Sequence, residues 1–222
     1  MKERVIETVD GIQEIGSVQK YNLMQRETRD HGHIMEKVDR LVKNGLVSGH
    51  ALEIGPGPGY FGLEWLKVTD NSTLNGIEIS QPMIAMAEEN AAEYGLQNRV
   101  KYVHGDAKQM EFEDETFDLV ISCFSLHEWE YPEAIIKEAS RVLKKGGHFF
   151  SLDWRRDVDL NAISFIPNSV KDEKMREGLF RSIDASYHVD EIKQFFSIAD
   201  NQMRLKVYEE LIYGMYVIAQ KV

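Results

Sequence analysis

A glycine-rich run between Glu53 and Gly62 has the residue types and spacing of a loop that holds a ligand against bare backbone. Gly55, Gly57 and Gly59 fit an acid-x-G-x-G-x-G pattern that begins at Glu53. Gly57, Gly59 and Gly62 also fit the G-x-G-x-x-G pattern of dinucleotide-binding loops. Both patterns need glycine because a side chain would keep the ligand away from the backbone. The loop alone therefore predicts a nucleotide-like ligand and leaves its class open.

Two acidic residues follow the next predicted strands, where a nucleoside needs hydrogen-bond acceptors. Glu78 stands at the end of the second strand, from which a carboxylate accepts ribose hydroxyl groups. Asp106, within Gly105-Asp106-Ala107, follows the third strand, where a carboxylate can accept a hydrogen bond from the amino group of adenine. Together with the glycine loop, these acids predict an adenosine-type ligand. The chain has no Tyr-x-x-x-Lys pair, which removes the catalytic signature of short-chain dehydrogenases.

The elements that must position these residues alternate between strand and helix. Apolar runs predict five strands, at Ala51–Ile54, Leu74–Ile79, Val100–Val103, Phe117–Ser122 and His148–Asp153. Helical patterns lie between several of them, at Phe61–Val68, Pro82–Tyr94 and Pro132–Leu143. This alternation predicts a parallel sheet covered on both faces, with its ligand beyond the carboxyl ends of the strands. Two further runs, Met203–Tyr208 and Tyr213–Ala219, predict a closing antiparallel hairpin.

The rest of the chain predicts a single domain, residues 1–222, with helical additions to the sheet. Apolar spacing predicts a helix over Asp30–Lys43 with Asp30 as its N-cap, and Lys144–Gly147 reads as a turn. We divide the domain into an N-terminal helical arm or lid (1–48), a cofactor-binding core (49–153), a variable helical segment (154–200) and the C-terminal hairpin (201–222).

Composition excludes several classes of protein. The 222 residues carry a net charge of −11, all of it in residues 51–222, which argues against a nucleic-acid or anionic-membrane partner. The single cysteine, Cys123, excludes an internal disulfide framework and a multi-cysteine zinc site. The sequence has no apolar run of membrane-spanning length, and its first residues lack a signal-peptide core. We therefore expect a cytoplasmic protein.

The ordered set of motifs resembles the class I S-adenosylmethionine-dependent methyltransferases, most closely the small ubiquinone/menaquinone methyltransferase type. The resemblance is carried by Glu53–Gly59, Glu78, Gly105–Ala107, Phe117–Val120 and Leu143–Gly147, and it covers about residues 50–153. It implies a Rossmann-like α/β fold, with a doubly wound, mostly parallel seven-stranded sheet, a C-terminal antiparallel hairpin and an N-terminal helical arm. It also implies S-adenosylmethionine as the cofactor.

The resemblance assigns a cofactor role to residues at each strand end. The methionine part would lie on Gly55, Gly57 and Gly59, with Glu53 orienting this loop or meeting the amino group. The remaining contacts would be Glu78 with both ribose hydroxyls, Ile79 and Met83 around the adenine, Asp106 and Ala107 after Gly105 at its edge, Ser122 through its backbone, and Tyr21 from the arm as a lid. Core packing is the alternative for Ile79 and Met83.

The segment Phe124–Trp129 would face the transferred methyl group in such a fold. His127 is the best-placed candidate base and Glu128 the second, although a base is needed only where the acceptor is protonated. A structural role for His127 stays open. Arg155 and Arg156 read either as a site for an anionic acceptor or as neutralisation of an acidic surface.

We expect no metal site, because Asp30, His31 and His33 read as a solvated helix start. The sequence thus predicts an S-adenosylmethionine-dependent methyltransferase that acts on a small molecule by in-line displacement, as a monomer or homodimer. Two alternatives stay open. One is a nicotinamide-dependent oxidoreductase, and the other is a cofactor-binding but inactive regulatory partner.

Overall fold

The fold is built on one seven-stranded sheet. A computed structural model describes residues 3–8, 10–164, 170, 172–200, 202–210 and 214–222. Its strands are β1 (His50–Ile54), β2 (Thr73–Glu78), β3 (Val100–His104), β4 (Phe117–Cys123), β5 (Leu143–Asp153), β6 (Met203–Glu210) and β7 (Gly214–Lys221). They lie in the order β3-β2-β1-β4-β5-β7-β6. The first five strands are parallel, and β7 runs antiparallel to both β5 and β6. The predicted fold class is confirmed.

Helices cover both faces of this sheet. They are α1 (Ile15–Asp30), α2 (His33–Lys43), α3 (Tyr60–Lys67), α4 (Gln81–Glu93), α5 (Pro132–Val142), α6 (Glu173–Ala185) and α7 (Val189–Ala199). The predicted helix start at Asp30 is wrong, because α1 continues through Asp30. The break falls at Gly32, whose φ of +83° is readily adopted only by glycine, and α2 begins at the next residue.

Successive residues along the central strands point into two separate apolar layers. Leu52, Val120 and Phe149 face the layer formed with α5 and α7, which includes Ile136 and Phe196. Their neighbours Ala51, Leu119, Ile121 and Phe150 face the layer formed with α2 and α3, which includes Val38 and Trp65. Burial on both faces explains why β1 and β4 are nearly continuous apolar runs.

Two predicted boundaries differ from the structure near the sheet. The expected turn Lys144–Gly147 lies inside β5, where the register with β4 shifts between Phe117 and Leu119. Gly147 sits against the backbone, since an added Cβ would lie 2.9 Å from the carbonyl oxygen of Lys144. The hairpin strands extend beyond their predicted ends, and Tyr213 lies outside the described residues.

Candidate active site

The glycine loop connects β1 to α3 at the carboxyl edge of the sheet. Gly55 has a φ of +65°, and a Cβ at this position would lie 2.3 Å from the hydroxyl oxygen of Ser125. Gly59 precedes α3 with a φ of +84°, and its Cβ would lie 2.4 Å from the Tyr102 hydroxyl oxygen. A side chain at either residue would therefore force the loop away from the segment after β4 or from β3. The cradle fits the methionine part of an adenosylmethionine cofactor.

Glu78 ends β2 beside this loop and is nearly fully buried. Its Oε2 accepts the amide of Gly57 at 3.0 Å, and its Oε1 accepts the amide of Ser80 at 2.9 Å. Burial raises the pKa of the Glu78 carboxyl, while these amide hydrogen bonds oppose the rise. Each oxygen retains acceptor capacity, so the carboxylate can take two further donors. That arrangement fits the two hydroxyl groups of a ribose.

Glu53 lies on β1 with its side chain under the first turn of α3. Its Oε2 is buried with no hydrogen-bond partner among the described residues, and a Cβ on Gly62 would lie 2.3 Å from it. Burial, with a smaller contribution from the charge of Glu78, raises the pKa of Glu53 to about 8. The Glu53 carboxyl therefore lies against Gly62 in the first turn of α3, and both alternatives for its role stay predictions.

The predicted adenine contacts lie after β2 and β3. Asp106 is half-buried, and its Oδ1 accepts the amide of Lys108 at 2.8 Å. Gly105 donates its amide to the Glu78 carbonyl at 3.0 Å, which brings these two strand ends together, and Ala107 packs at the edge of the core. Ile79 is half-buried at the site, whereas Met83 is buried in α4. Ile79 is therefore better placed than Met83 to touch a ligand.

An N-terminal strap, which we define as residues 3–8 and 10–14, crosses this edge of the sheet. At one end, Arg4 donates to the carbonyl oxygens of His127 at 2.8 Å, Trp129 at 3.2 Å and Ala185 at 2.6 Å. At the other end, the Ser80 hydroxyl donates to the Ile12 carbonyl at 2.5 Å.

The strap also passes over the residues expected to hold the cofactor. A Cβ on Gly11 would lie 3.5 Å from Ile79 Cγ2 and 3.9 Å from Glu78 Oε1. The strap therefore reaches from the predicted ribose acid to the segment after β4, and it covers both.

Tyr21 on α1 covers the glycine loop from the arm. Its Cε1 lies 3.8 Å from the Cβ position of Gly57. The helix is held there by Asn90, whose amide donates to Asn22 Oδ1 at 2.9 Å and to the Pro58 carbonyl at 2.8 Å. Burial, and then the charge of Glu128, raise the pKa of the Tyr21 hydroxyl. The arm thus lies against the glycine loop at Tyr21, and its role as a lid stays a prediction.

His127 lies in a short 3-10 helix, Leu126–Glu128, and is buried against the end of β5. Its backbone amide donates to Asp153 Oδ2 at 3.0 Å, and Nδ1 lies 2.7 Å from Oδ1. A carboxylate only accepts, so Nδ1 carries a proton. Nε2 lies 3.5 Å from Glu7 Oε2 on the strap. Burial alone would lower the pKa of His127, but Asp153 and Glu7 outweigh it and raise it to about 10.

Glu128, the second predicted base, differs electrostatically from His127. Burial raises its pKa to about 7. The charges of Glu7, Glu78 and Asp153 add to the rise, and His127 opposes it. At neutral pH, Glu128 exchanges a proton readily, whereas His127 stays an imidazolium. The two residues are therefore suited to different roles.

The last residues of β4, Ser122 and Cys123, lead into the segment that carries Ser125. Ser122 is fully buried opposite Ser151, and neither hydroxyl has a hydrogen-bond partner in the described ranges of the chain. Burial raises the pKa of Cys123 to about 12, which makes it a poor nucleophile. Ser125 accepts the indole N–H of Trp129 at 3.1 Å.

The other polar candidates lie in ion pairs or at the surface. Arg155 pairs with Asp157 and Glu209, and Arg156 pairs with Glu191 and donates to the Ser186 carbonyl. This supports neutralisation rather than binding of an anionic acceptor. His31 contacts the Glu27 carbonyl and His33 contacts Glu36, both at the surface. Within the described part of the chain, the side chains spaced closely enough for a metal ion are Glu7, His127 and Glu128.

Sequence reasoning missed Glu7 and Asp153. Glu7 lies in the arm with no motif around it, and only the strap's path brings it to His127. Asp153 ends a predicted strand, and that position was its only available signal.

A family model described as a methyltransferase domain matches residues 52–151. Over these residues the chain is similar to methyltransferase domains. The matched residues contain the glycine loop, Glu78, Asp106 and His127, so the match falls on the site itself. The resemblance inferred from the motifs is confirmed, and the match favours a methyltransferase over the nicotinamide alternative.

Curated relatives extend the similarity to named enzymes. The chain is 35% identical over 99 residues to phosphatidylethanolamine N-methyltransferase of Cereibacter sphaeroides, covering 45% of this chain and 47% of that one. It is 35% identical over 86 residues to demethylmenaquinone methyltransferase of Bacillus cytotoxicus, covering 39% and 36%. The chain thus spans less than half the length of these two relatives.

Solved structures extend the similarity to the whole fold. The S-adenosylmethionine-dependent methyltransferase of Aquifex aeolicus superposes with a TM-score of 0.73 at 19% identity, covering 95% of this chain and all of that one. No helix among the described residues is both long and apolar enough to cross a membrane.

Proposed function

We propose that this protein transfers a methyl group from S-adenosylmethionine to a small-molecule acceptor by in-line displacement. The observation that carries the proposal is Glu78, whose two oxygens accept the amides of Gly57 and Ser80 beside the glycine cradle. The carboxylate is thereby held rigidly with acceptor capacity for a ribose. When bound, the cofactor supplies a methyl group already activated by its sulfonium, so the protein has mainly to position and desolvate.

Different residues of the chain would bind different parts of the cofactor. The glycine loop and Glu78 would hold the methionine and ribose ends, and Asp106 with Ile79 would hold the adenine. Tyr21 and the strap lie over them and would exclude water. Excluding water strengthens the electrostatic interactions inside a site, so closure also contributes to catalysis.

Glu128 is the proposed general base, and His127 a positioning residue. A general base works best when its pKa lies near the working pH. The pKa of Glu128 is raised to about 7, which meets this condition at neutral pH. His127 is held by two contacts to Asp153 and stays protonated, so it orients the segment that carries Glu128.

The composition of the chain supports a cytoplasmic location and a small-molecule acceptor. We propose a cytoplasmic enzyme, in keeping with a single, half-buried cysteine that has no second cysteine with which to form an internal disulfide. The net charge of −11 supports a small acceptor rather than a nucleic acid. Either a monomer or a homodimer is compatible with this site.

Isothermal titration with S-adenosylmethionine tests the cofactor assignment. We expect saturable binding by the wild type and at least about tenfold weaker binding by Glu78→Ala, because the ribose loses a charged acceptor. Glu89→Ala is the matched control, since Glu89 is an exposed residue on the adjacent helix α4. A folded wild type that does not bind, or a Glu78→Ala variant with unchanged affinity, would refute the assignment.

A further inference from the structure

The strap brings an incompletely satisfied acid into the acceptor end of the site. Within the part of the chain that the structure describes, Glu7 Oε2 is buried without a hydrogen-bond partner, and its side chain is only 14% exposed. Among the described residues, Glu7 forms an ion pair with His127, whose Nε2 lies 3.5 Å away, beyond the normal range for an N–H···O hydrogen bond. A buried carboxylate oxygen in this state is destabilising unless a further donor reaches it. The missing donor therefore points to a ligand.

Glu7 is one of several acids that converge here. One ligand atom from each of Glu7, His127 and Glu128 lies within 4.8 Å of the others. Asp153 Oδ1 lies 2.7 Å from His127 Nδ1. One imidazolium therefore faces three carboxyl groups. Burial, followed by the negative charges of neighbouring acids that include Glu7 and Asp153, raises the pKa of Glu128. A cation that donates hydrogen bonds would stabilise both Glu7 and Glu128.

The arginines around this end of the sheet are already engaged. Arg4 donates to three backbone carbonyl groups, and its guanidinium lies 4.2 Å from the centre of the Tyr187 ring. Arg155 and Arg156 form ion pairs with acids outside the cluster. None of these three side chains supplies the charge that Glu7 and Glu128 lack.

The state of His127 favours an organic cation over a metal ion. Metal coordination would require a free lone pair on Nε2. Carboxylates lie at both ring nitrogens, however, with Asp153 at Nδ1 and Glu7 toward Nε2. An imidazole between two carboxylates keeps both protons, so Nε2 offers no lone pair to a metal ion. The cluster can then take a ligand that brings its own N–H groups.

We infer that the methyl acceptor binds as a protonated primary or secondary amine, with its N–H groups donated to Glu7 and Glu128. This inference rests on the proposed function. The bound ammonium gives one proton to the Glu128 carboxylate and so frees its nitrogen lone pair. A new N–C bond then forms as the methyl carbon–sulfur bond breaks, and that electron pair stays on sulfur. The products are the methylated ammonium and neutral S-adenosylhomocysteine, with the proton held on Glu128.

Paired ligands of equal shape test this inference. Isothermal titration would use protein saturated with S-adenosylhomocysteine. The ligands are primary amines and alcohols of the same carbon skeleton, from ethylamine and ethanol to 2-phenylethylamine and 2-phenylethanol. We expect at least one amine to bind about tenfold or more tightly than its alcohol, since charge-assisted hydrogen bonds exceed neutral ones. Glu7→Gln should reduce that preference about tenfold.

Controls separate the alternatives. Glu3→Gln removes the same charge from an exposed position on the same strap and should leave the preference unchanged. Equal affinity for every amine and its alcohol, or a preference that survives Glu7→Gln, would overturn the inference. So would saturable Mn²⁺ binding, followed by electron paramagnetic resonance, that Glu7→Gln abolishes, because the cluster would then be a metal site. Failure of the wild type to bind S-adenosylhomocysteine would instead count against the proposed function.

Discussion

Asp153→Asn should remove a pH-dependent part of the stability of this protein. The Asp153 carboxylate accepts the amide of His127 at 3.0 Å, Nδ1 of the same residue at 2.7 Å and the amide of Trp154 at 2.7 Å. Both side chains of the pair are buried, with 5% and 2% exposed. The pair is therefore poorly screened by solvent, and its charge state affects folding directly.

The size of the effect follows from the pKa of His127. Its rise from 6.5 to about 10 in the folded state corresponds to roughly 5 kcal/mol, at 1.36 kcal/mol per pKa unit. Because the folded pKa is raised, this stabilisation is complete below pH 6.5 and is lost as the pH rises toward 10. About half of it should remain at pH 8. Asp153→Asn lacks the charge that sustains the raised pKa, so most of this dependence should disappear.

Urea denaturation at a series of pH values between 6 and 10 measures the effect. The free energy of unfolding of the wild type should fall relative to that of Asp153→Asn by roughly 2–5 kcal/mol over this interval. Asp190→Asn is the control, because that side chain is 94% exposed in its pair with Lys193. Parallel curves for wild type and Asp153→Asn would refute the reasoning. So would a nuclear magnetic resonance titration that places the pKa of the His127 ring near 6.5.

Three further substitutions probe the site. Gly55→Ala should destabilise the protein by about 2 kcal/mol or more and weaken S-adenosylhomocysteine binding, because its Cβ would clash with Ser125. Gly146→Ala is the control, because Gly146 also has a positive φ but its Cβ would meet no neighbour. It should cost less stability and leave binding unchanged when both variants are compared by denaturation and titration. Glu128→Gln should lower the initial rate of methyl transfer about 100-fold or more and remove the rise in rate through pH 7, whereas an unchanged pH–rate profile would exclude it as base. Arg4→Ala should speed amide hydrogen exchange in the strap, and unchanged exchange would show that these hydrogen bonds do not hold it.

The sequence predicted best the residues at the carboxyl ends of neighbouring parallel strands, because sheet topology alone places these ends side by side. Glu78 ends the strand next to β1, so its approach to the glycine loop depends only on sheet topology. The predicted helix start at Asp30 is wrong because Asp30, although of a residue type that often caps helices, lies inside α1, whereas the backbone turns at Gly32. Glu7 could not be predicted, since its approach to His127 depends on the path of an irregular segment that lacks any periodic pattern.

The strap also bears on the kinetics of the proposed reaction. It lies over Glu78 and Ile79 at one end and is tied by Arg4 beside His127 at the other. Exchange of the spent cofactor would therefore break the Ser80–Ile12 hydrogen bond in every cycle. Turnover can then be no faster than opening of the strap, and it should slow as solvent viscosity rises. A turnover number above the opening rate measured by hydrogen exchange would contradict this expectation. Mutations in the first 14 residues would then alter product release as well as stability.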